Sequence, residues 1–258
     1  MISVLAIDLD ETLLRNDGSV SERTLAALAA WEASGRRTVI ATGRPPRSAR
    51  QIPDALLHLP CVCYNGAAIY EDGIRSYTRA IPAADAWQIV NDLLTAMPDG
   101  RVGIEIDDVL YVNQPSERWG HVHTPDLLGM TPRPAAKIIL SLRQYEQALT
   151  VAASLPPTAK ALLSEKYDLA QIMPTGSSKA TALHYLMDSW GITLRHVAAF
   201  GDDVNDVEMV QEAGLGVAMD NAVAEVKAVA DRITASNDQD GVALVVEELL
   251  RNSIGTRY

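Results

Sequence analysis

The chain is short of basic residues and of long apolar stretches, and both shortages exclude classes of protein. Its 22 lysines and arginines are outnumbered by 33 aspartates and glutamates, which gives a formal net charge of -11. Because no basic stripe is available to neutralise phosphates, we expect no nucleic-acid partner and no anionic membrane partner. No run of about 18 apolar residues occurs, so we also expect no membrane span. The sequence begins directly with a strand pattern rather than a secretory signal.

Cysteine is scarce as well. Cys61 and Cys63 are the two in the chain. On a strand their Cα atoms would lie about 6.5 Å apart, at the long end of disulfide geometry. No second pair of Cys or His residues completes a zinc site. We therefore interpret them as reduced core thiols in a cytoplasmic protein.

The first part of the chain alternates between strand and helix patterns. Apolar runs leading to Asp8, at 37–41 and at 61–64 predict buried strands. A helix signal lies between the first two, with Ser21 as its cap and Gly35 beyond its end. The predicted apolar stripe of this helix comprises Leu25, Leu28 and Ala29. This alternation is typical of a parallel, doubly wound α/β sheet.

The pattern changes in the middle of the chain and then returns. Short strands are predicted within 101–113, at 137–142 and at 167–173, with a helix at 144–154. The alternation of helix and strand that is typical of a parallel sheet returns after Lys179, with a helix predicted from 180. The later predicted elements are strands at 196–200, 216–219 and 232–234 and a helix at 242–250. We therefore predict an α/β core formed by 1–81 and 179–258, with an inserted α+β domain at 82–178.

Polar clusters follow the predicted core strands or open a helix. They are Asp8-x-Asp10-x-Thr12, Thr42-Gly43-Arg44, Lys179 and the segment Gly201-Asp202-Asp203-x-Asn205-Asp206. In a parallel sheet all carboxyl ends lie at one edge, so these clusters can converge. Successive strand side chains alternate faces, so Asp8 and Asp10 should point the same way at the end of the first strand and repel each other unless a cation or a proton lies between them.

The combined inventory indicates one type of chemistry. Mg²⁺ prefers carboxylate oxygens and substrate phosphate as ligands. A threonine hydroxyl, glycine amides and a lysine ammonium are good donors to a phosphoryl group. The set therefore favours phosphoryl transfer, in which positioning and charge neutralisation supply most of the catalysis. Taken singly, a D-x-D pair after a strand is more often a solvated loop, Thr42-Gly43 could be an ordinary turn, and Lys179 could be a solvated residue near a helix start. A nucleotide-binding loop around Lys179 is excluded, because the glycine-lysine pair of that motif is missing.

Taken in order, the motifs resemble a known family. D-L-D-E-T-L-L, I-A-T-G-R, N-G-A-A-I-Y, G-S-S-K-A-T-A-L and G-D-D-V-N-D-V-E-M are similar to the haloacid dehalogenase superfamily, specifically the Cof-type phosphatases with a type IIB cap. The resemblance covers roughly 1–81 and 175–258 and is much weaker between them. Many members carry glycine where this chain has Glu11.

The resemblance implies a role for each matching position. Asp8 would be the nucleophile that becomes a phospho-aspartate, and Asp10 would be the general acid and then the general base. Mg²⁺ would be bound by Asp8, Asp202 and the backbone carbonyl of Asp10. The phosphate- and substrate-binding residues would be Thr42, Gly43, Arg44, Lys179 and Asn205. Thr12 and Asp206 would orient the residues that contact the ligands without contacting them themselves.

The implied function is a cytoplasmic, Mg²⁺-dependent phosphatase for small phosphorylated metabolites, with sugar phosphates as the expected class. The inserted domain would act as the cap that selects the substrate. One alternative is a phosphotransferase or phosphomutase on the same fold. A second alternative is a non-catalytic sensor of phosphometabolites, although a pure binder has no need of Asp10. We expect a monomer or a homodimer.

Overall fold

The computed structural model describes residues 1–115, 121–141, 150–164 and 169–254. Its strands are β1 (Val4–Ile7), β2 (Arg37–Ala41), β3 (Cys61–Cys63), β4 (Ala68–Glu71), β5 (Ile74–Thr78), β6 (Val102–Ile106), β7 (Val109–Val112), β8 (Val122–His123), β9 (Lys137–Ser141), β10 (Ala159–Ser164), β11 (Leu169–Pro174), β12 (Val197–Gly201), β13 (Leu215–Ala218) and β14 (Arg232–Ile233). Its helices are α1 (Glu22–Ala33), α2 (Pro46–Ala49), α3 (Ala83–Ala96), α4 (Lys179–Ser189), α5 (Val207–Glu212), α6 (Ala224–Val229) and α7 (Gly241–Ile254).

The chain divides into two compact units. One is formed by Met1–Ser76 together with Ser178–Tyr258, and the other by Tyr77–Ser177. No described helix is long and apolar enough to cross a membrane.

The first unit is built on a sheet whose strand order is β14-β13-β12-β1-β2-β3-β4-β5. The neighbours from β14 to β3 are parallel, and β3 and β4 are antiparallel. From β1 the chain moves through α1 to β2 on one side, and from β12 it moves through α5 to β13 on the other. Since such crossovers are right-handed, opposite directions of travel place helices on both faces of the sheet. The predicted doubly wound α/β core is therefore confirmed.

Helix α1 begins as its sequence predicts. Ser21 caps it by accepting a hydrogen bond from the backbone N–H of Thr24, and Gly35 follows its end with φ of 82°. The buried face differs from the predicted stripe. Ala29 is exposed, whereas Trp31 is fully buried and its indole N–H donates to the Arg37 carbonyl.

The second unit has a sheet of order β10-β11-β9-β6-β7-β8, in which the pairs from β10 to β7 are antiparallel. Helix α3 packs its apolar side on one face of this sheet, forming a core with Ala86, Ile89, Val90, Leu93, Val102, Ile104, Ile138, Leu140, Ala170 and Ile172. The β6–β7 hairpin turns at Asp107 and Asp108, both in the left-handed region, as its predicted position requires. The predicted helix at 144–154 and the strand start at Tyr167 fall largely outside the described residues.

Candidate active site

Strand β1 carries Asp8 to the carboxyl edge of the first unit's sheet. The four apolar residues of β1 are buried, and the Asp8 backbone N–H donates to the Phe200 carbonyl at 3.1 Å. The strand ends at Ile7, and the chain then forms a wide turn over Leu9–Leu13. The prediction that Asp8 and Asp10 share one strand face was therefore wrong, because Asp10 lies in the turn.

Within the turn, Glu11 has a φ of 56°, in the region that favours glycine. This backbone conformation is a physical reason for glycine at the position. The Glu11 carbonyl accepts a hydrogen bond from the Asn221 carboxamide at 2.8 Å, which holds the turn in place.

Asp10 pairs with the arginine that follows β2. The Arg44 guanidinium donates from Nε and Nη2 to the Asp10 carboxylate, at 2.9 and 2.5 Å. Two-point contacts of this kind fix orientation as well as charge. The predicted substrate ligand Arg44 therefore lies beside Asp10, the predicted acid and base.

Lys179 is the first residue of α4 and is fully buried. The Ser178 side chain caps this helix by accepting from the backbone N–H of Thr181. The Lys179 ammonium lies 2.5 Å from Asp8 Oδ1 and 2.6 Å from Asp206 Oδ1. It therefore joins residues from the first and last parts of the chain at one point.

A glycine shapes the acidic segment after β12. A Cβ at Gly201 would lie 2.3 Å from the Cβ of Asp206, so a larger residue would displace that side chain. In the observed position, Asp206 Oδ2 accepts hydrogen bonds from the backbone N–H groups of Asp202 (3.0 Å) and Asp203 (3.2 Å). Since Oδ1 accepts a hydrogen bond from Lys179, both carboxylate oxygens of Asp206 accept hydrogen bonds from protein groups.

Asp202 is fixed from two sides. Its Oδ1 accepts from the Thr12 hydroxyl at 2.8 Å, and its carbonyl accepts from the Val223 backbone N–H at 2.8 Å. Asp8, Asp202 and Asp206 each place a carboxylate oxygen within 4.8 Å of the others. Carboxylate oxygens are suitable ligands for a hard divalent cation.

The charges at this point shift the proton affinities of their groups. Burial raises the pKa of the Asp8 carboxyl well above its ordinary value; the Lys179 ammonium partly lowers it, and the carboxylates of Asp206 and Asp202 raise it further. Burial on its own lowers the pKa of Lys179, but the charges of Asp206 and Asp8 outweigh this and raise it above its ordinary value. A single ammonium thus faces several acids, so a further cation would favour the ionised form of Asp8.

The phosphate-binding residues predicted after β2 and β12 are linked through Asn65. Thr42 is fully buried and its Oγ1 accepts from the Arg44 backbone N–H at 3.1 Å. The Asn205 carboxamide donates to Asn65 Oδ1 at 2.8 Å, and Gly43 lies directly against the Asn65 side chain. The sequence interpretation did not include Asn65 among the site residues. The signal was present in the Asn-Gly pair that ends β3, where polar turns at strand ends are expected to carry function.

A largely parallel α/β sheet with a buried carboxylate–lysine pair and an acidic cluster at its carboxyl edge is typical of enzymes that transfer phosphoryl groups. Comparison with known families is more specific. A family model described as haloacid dehalogenase-like hydrolase matches residues 5–246. The chain therefore belongs to this family, and the match runs through the inserted segment where the motif resemblance was weak.

Individual relatives agree with this assignment. The chain is 29% identical to 5-amino-6-(5-phospho-D-ribitylamino)uracil phosphatase YitU of Bacillus subtilis, with 95% of this chain and 96% of the relative covered. It is 28% identical to pyridoxal phosphate phosphatase YbhA of Escherichia coli, over 93% and 96% of the two chains. A haloacid dehalogenase-like hydrolase from Bacteroides thetaiotaomicron superposes with a TM-score of 0.84 at 25% identity, covering 96% and 100%. The protein is a phosphatase of the haloacid dehalogenase type.

Proposed function

We propose that the protein is a Mg²⁺-dependent phosphatase that hydrolyses small phosphorylated metabolites, with sugar phosphates as the main class, through a phospho-aspartate on Asp8. The observation that carries this proposal is the buried Asp8 carboxylate held 2.5 Å from the Lys179 ammonium. The names of two relatives support the substrate class, since both denote phosphorylated small molecules and one carries a phosphorylated ribityl group.

The reaction would proceed in two displacements at phosphorus. The Asp8 carboxylate attacks while the bond to the leaving oxygen breaks, and Asp10 gives its proton to the departing alkoxide. Asp10 then takes a proton from a water molecule that attacks the phosphorus, which releases inorganic phosphate and regenerates Asp8. Lys179 offsets negative charge beside the nucleophile throughout.

The donor set fits Mg²⁺, with Asp8, Asp202 and the Asp10 carbonyl as its protein ligands. Asp206 suits an orienting role better, because both of its carboxylate oxygens already accept hydrogen bonds. When bound, the ion would neutralise the repulsion between the nucleophile and the substrate phosphate. Thr12 would hold the Asp202 carboxylate in place through its 2.8 Å hydrogen bond.

The substrate phosphate would be held by residues of two loops. Thr42 and Gly43 follow β2, and Asn205 follows β12, so all three lie after parallel strands at the same sheet edge. Arg44 would bind substrate and position Asp10, with which it forms the two-point contact.

We further propose that the inserted unit selects the organic part of the substrate. Val102, Ile104 and Ile106 face the core of this unit, so Glu105 lies on the opposite face of β6. It pairs in register with Lys137, whose ammonium donates to Gln171 at 3.2 Å, and all three side chains are buried. A buried row of donors and acceptors suits a hydroxyl-bearing group better than an apolar one.

The proposal is tested with the purified protein. It should release free phosphate from p-nitrophenyl phosphate with Mg²⁺ and lose this activity in EDTA. An acid quench during turnover of a radiolabelled substrate should leave label on the protein that hydroxylamine removes. Equal rates in EDTA, or equal rates in the Asp8→Asn variant, would contradict the mechanism.

The same assay addresses the finer alternatives. Transfer of phosphate to an added sugar in preference to water would favour a phosphotransferase. A Lys137→Met change should reorder a panel of phosphorylated metabolites while leaving p-nitrophenyl phosphate hydrolysis nearly unchanged. We expect the protein to be cytoplasmic and to be a monomer or a homodimer. Light scattering coupled to size-exclusion chromatography distinguishes the monomer from the homodimer.

A further inference from the structure

The turn after β3 adopts an unusual backbone conformation. Tyr64, Asn65 and Gly66 have φ values of 53°, 50° and 92°, so three consecutive residues lie in the left-handed region. Tyr64 and Asn65 are both buried. Left-handed backbone is costly for residues with a Cβ and persists where the surrounding structure holds it in place. Such positions cluster at functional sites, so the contacts of this turn are informative.

Asn65 connects two loops that follow different strands. Its backbone N–H donates to the Thr42 carbonyl at 3.0 Å, and its Oδ1 accepts from the Asn205 carboxamide at 2.8 Å. The neighbouring Tyr64 N–H donates to the Arg44 carbonyl at 3.0 Å. The loop after β2 and the loop after β12 are therefore joined through one buried residue, by its backbone on one side and by its side chain on the other.

The turn formed by Tyr64, Asn65 and Gly66 is tightly packed against its neighbours. A Cβ at Gly43 would lie 2.9 Å from Asn65 Oδ1 and 3.4 Å from its Cγ. A Cβ at Gly66 would lie 1.9 Å from the carbonyl oxygen of Ser178, the residue that caps the helix of Lys179. The turn is thus in close contact with three segments that carry proposed site residues.

We propose that Asn65 is a positioning residue of the phosphate-binding end: its carboxamide fixes Asn205 and Gly43 relative to each other. This inference rests on the proposed function, in which Gly43 and Asn205 contact the substrate phosphate. Asn65 acts through these two residues and does not itself contact the phosphate. A carboxamide on a buried, left-handed backbone is suited to this task, because the Asn65 backbone N–H is bonded to the Thr42 carbonyl while the side-chain Oδ1 accepts from Asn205.

A simpler explanation is that asparagine is present only because it tolerates left-handed backbone better than most residues. Asn65→Gly separates the two explanations. Glycine accepts the same φ without strain but removes the carboxamide. If backbone conformation were the whole role, this variant would bind phosphate as the wild type does.

Binding of inorganic phosphate in the presence of Mg²⁺, measured by calorimetry, is the primary readout. Asn65→Gly should weaken it about fivefold to tenfold, the usual effect of losing one buried hydrogen bond. Asn205→Ala should weaken it similarly, and the loss in the double variant should be smaller than the two single losses combined, since Asn65 acts in part through Asn205. Wild-type affinity in Asn65→Gly, or additive losses in the double variant, would overturn the inference.

A second variant, Gly43→Ala, tests the contact between Gly43 and Asn65. Its result does not depend on whether Asn65→Gly folds correctly on its own. Gly43→Ala should weaken phosphate binding, because its methyl group meets the Asn65 carboxamide. Adding Asn65→Gly should restore part of that affinity by making room, and a further loss instead would contradict the packing argument. Wild-type protein that binds phosphate with this coupling but hydrolyses no phosphomonoester would refute the proposed function and leave the inference standing. Wild-type protein that binds no phosphate would refute the inference, and the phosphate-release assay would still decide the proposed function.

Discussion

Two ion pairs at the same end of the sheet differ sharply in burial. Lys179 has no exposed side-chain surface and contacts Asp8, whose side chain is 7% exposed. Two residues further along, Asp10 is 41% exposed and pairs with Arg44, which is 25% exposed. The nucleophile position is therefore enclosed by protein, whereas the proposed acid and base remains in contact with solvent.

This difference separates two requirements of the proposed chemistry. An attacking carboxylate gains from a fixed position, and burial beside a cation provides one. A group that gives and later takes a proton needs access to water, which a half-exposed side chain retains. Removing charge from each pair in turn should therefore have effects that fall with exposure.

The largest effect is expected for Asp8→Asn. The amide cannot attack phosphorus, so we expect kcat for p-nitrophenyl phosphate to fall by about a thousandfold or more. Stability should respond in the opposite direction. In EDTA, one fewer carboxylate faces Asp202 and Asp206, so the thermal midpoint should stay level or rise. Loss of both activity and stability would indicate that the change damages the fold rather than the nucleophile.

Lys179→Met should be the most destabilising of these changes. Met fills a similar volume but leaves Asp8 and Asp206 buried without their cation, which typically lowers the free energy of unfolding by about 3–5 kcal/mol. Urea denaturation in EDTA measures this. Arg23→Met is the matched control, because it breaks a two-point pair with Glu247 on the exposed surface of the same unit. If both changes shifted the denaturation midpoint equally, burial would not account for the importance of Lys179.

Arg44→Met should affect activity more than stability. Loss of the two hydrogen bonds to Asp10 leaves the acid and base free to move, and we expect kcat/KM to fall about tenfold or more. Arg44→Lys keeps the charge but not the planar two-point contact, so its kcat/KM should lie between those of the wild type and Arg44→Met. An Arg44→Lys enzyme as slow as Arg44→Met would show that geometry outweighs charge. Wild-type rates in Arg44→Met would remove this residue from the proposed site.

The core fold was predictable because its local signals agree with its tertiary structure. The apolar run of β2 has the same bounds in sequence and structure, and the cap and stop of α1 lie at Ser21 and Gly35. Helix α3 received no assignment although Ala86, Ile89, Val90 and Leu93 recur at helical spacing, so its signal was overlooked rather than absent. Tertiary packing decided the buried face of α1, where Ala29 of the predicted stripe is exposed.

The candidate site shows the same limit. The sequence indicated which residues follow the core strands, and parallel pairing then brings them to one edge. It could not indicate that the chain turns away after Ile7, because the conformation of Glu11 depends on contacts such as that with Asn221. The role of Asn65 was equally hidden, since its partner Asn205 is 140 residues away in the sequence. Local patterns carry no information about such pairs.

The smallest effect is expected at a partly exposed pair outside the candidate site, formed by Asp240 and Arg15, whose side chains are 18% and 33% exposed. A hydrogen bond from Ser21 and the nearby Arg15 lower the pKa of Asp240 below its ordinary value. A lowered pKa stabilises the fold above the unfolded-state pKa of about 3.9 and loses that stabilisation as the pH falls through the folded value. Asp240→Asn keeps the shape and tolerates the left-handed backbone at this position, where φ is 60°.

The thermal midpoint of Asp240→Asn should therefore lie slightly below that of the wild type at pH 7, by about 2 °C or less. The difference between the two thermal midpoints should shrink as the pH falls below about 4, because the wild-type carboxylate is then protonated and loses its charge. High salt should also reduce it, because charges in partial contact with solvent are screened. A gap that persists at low pH would mean that Asp240 contributes through its shape and hydrogen bonds rather than its charge.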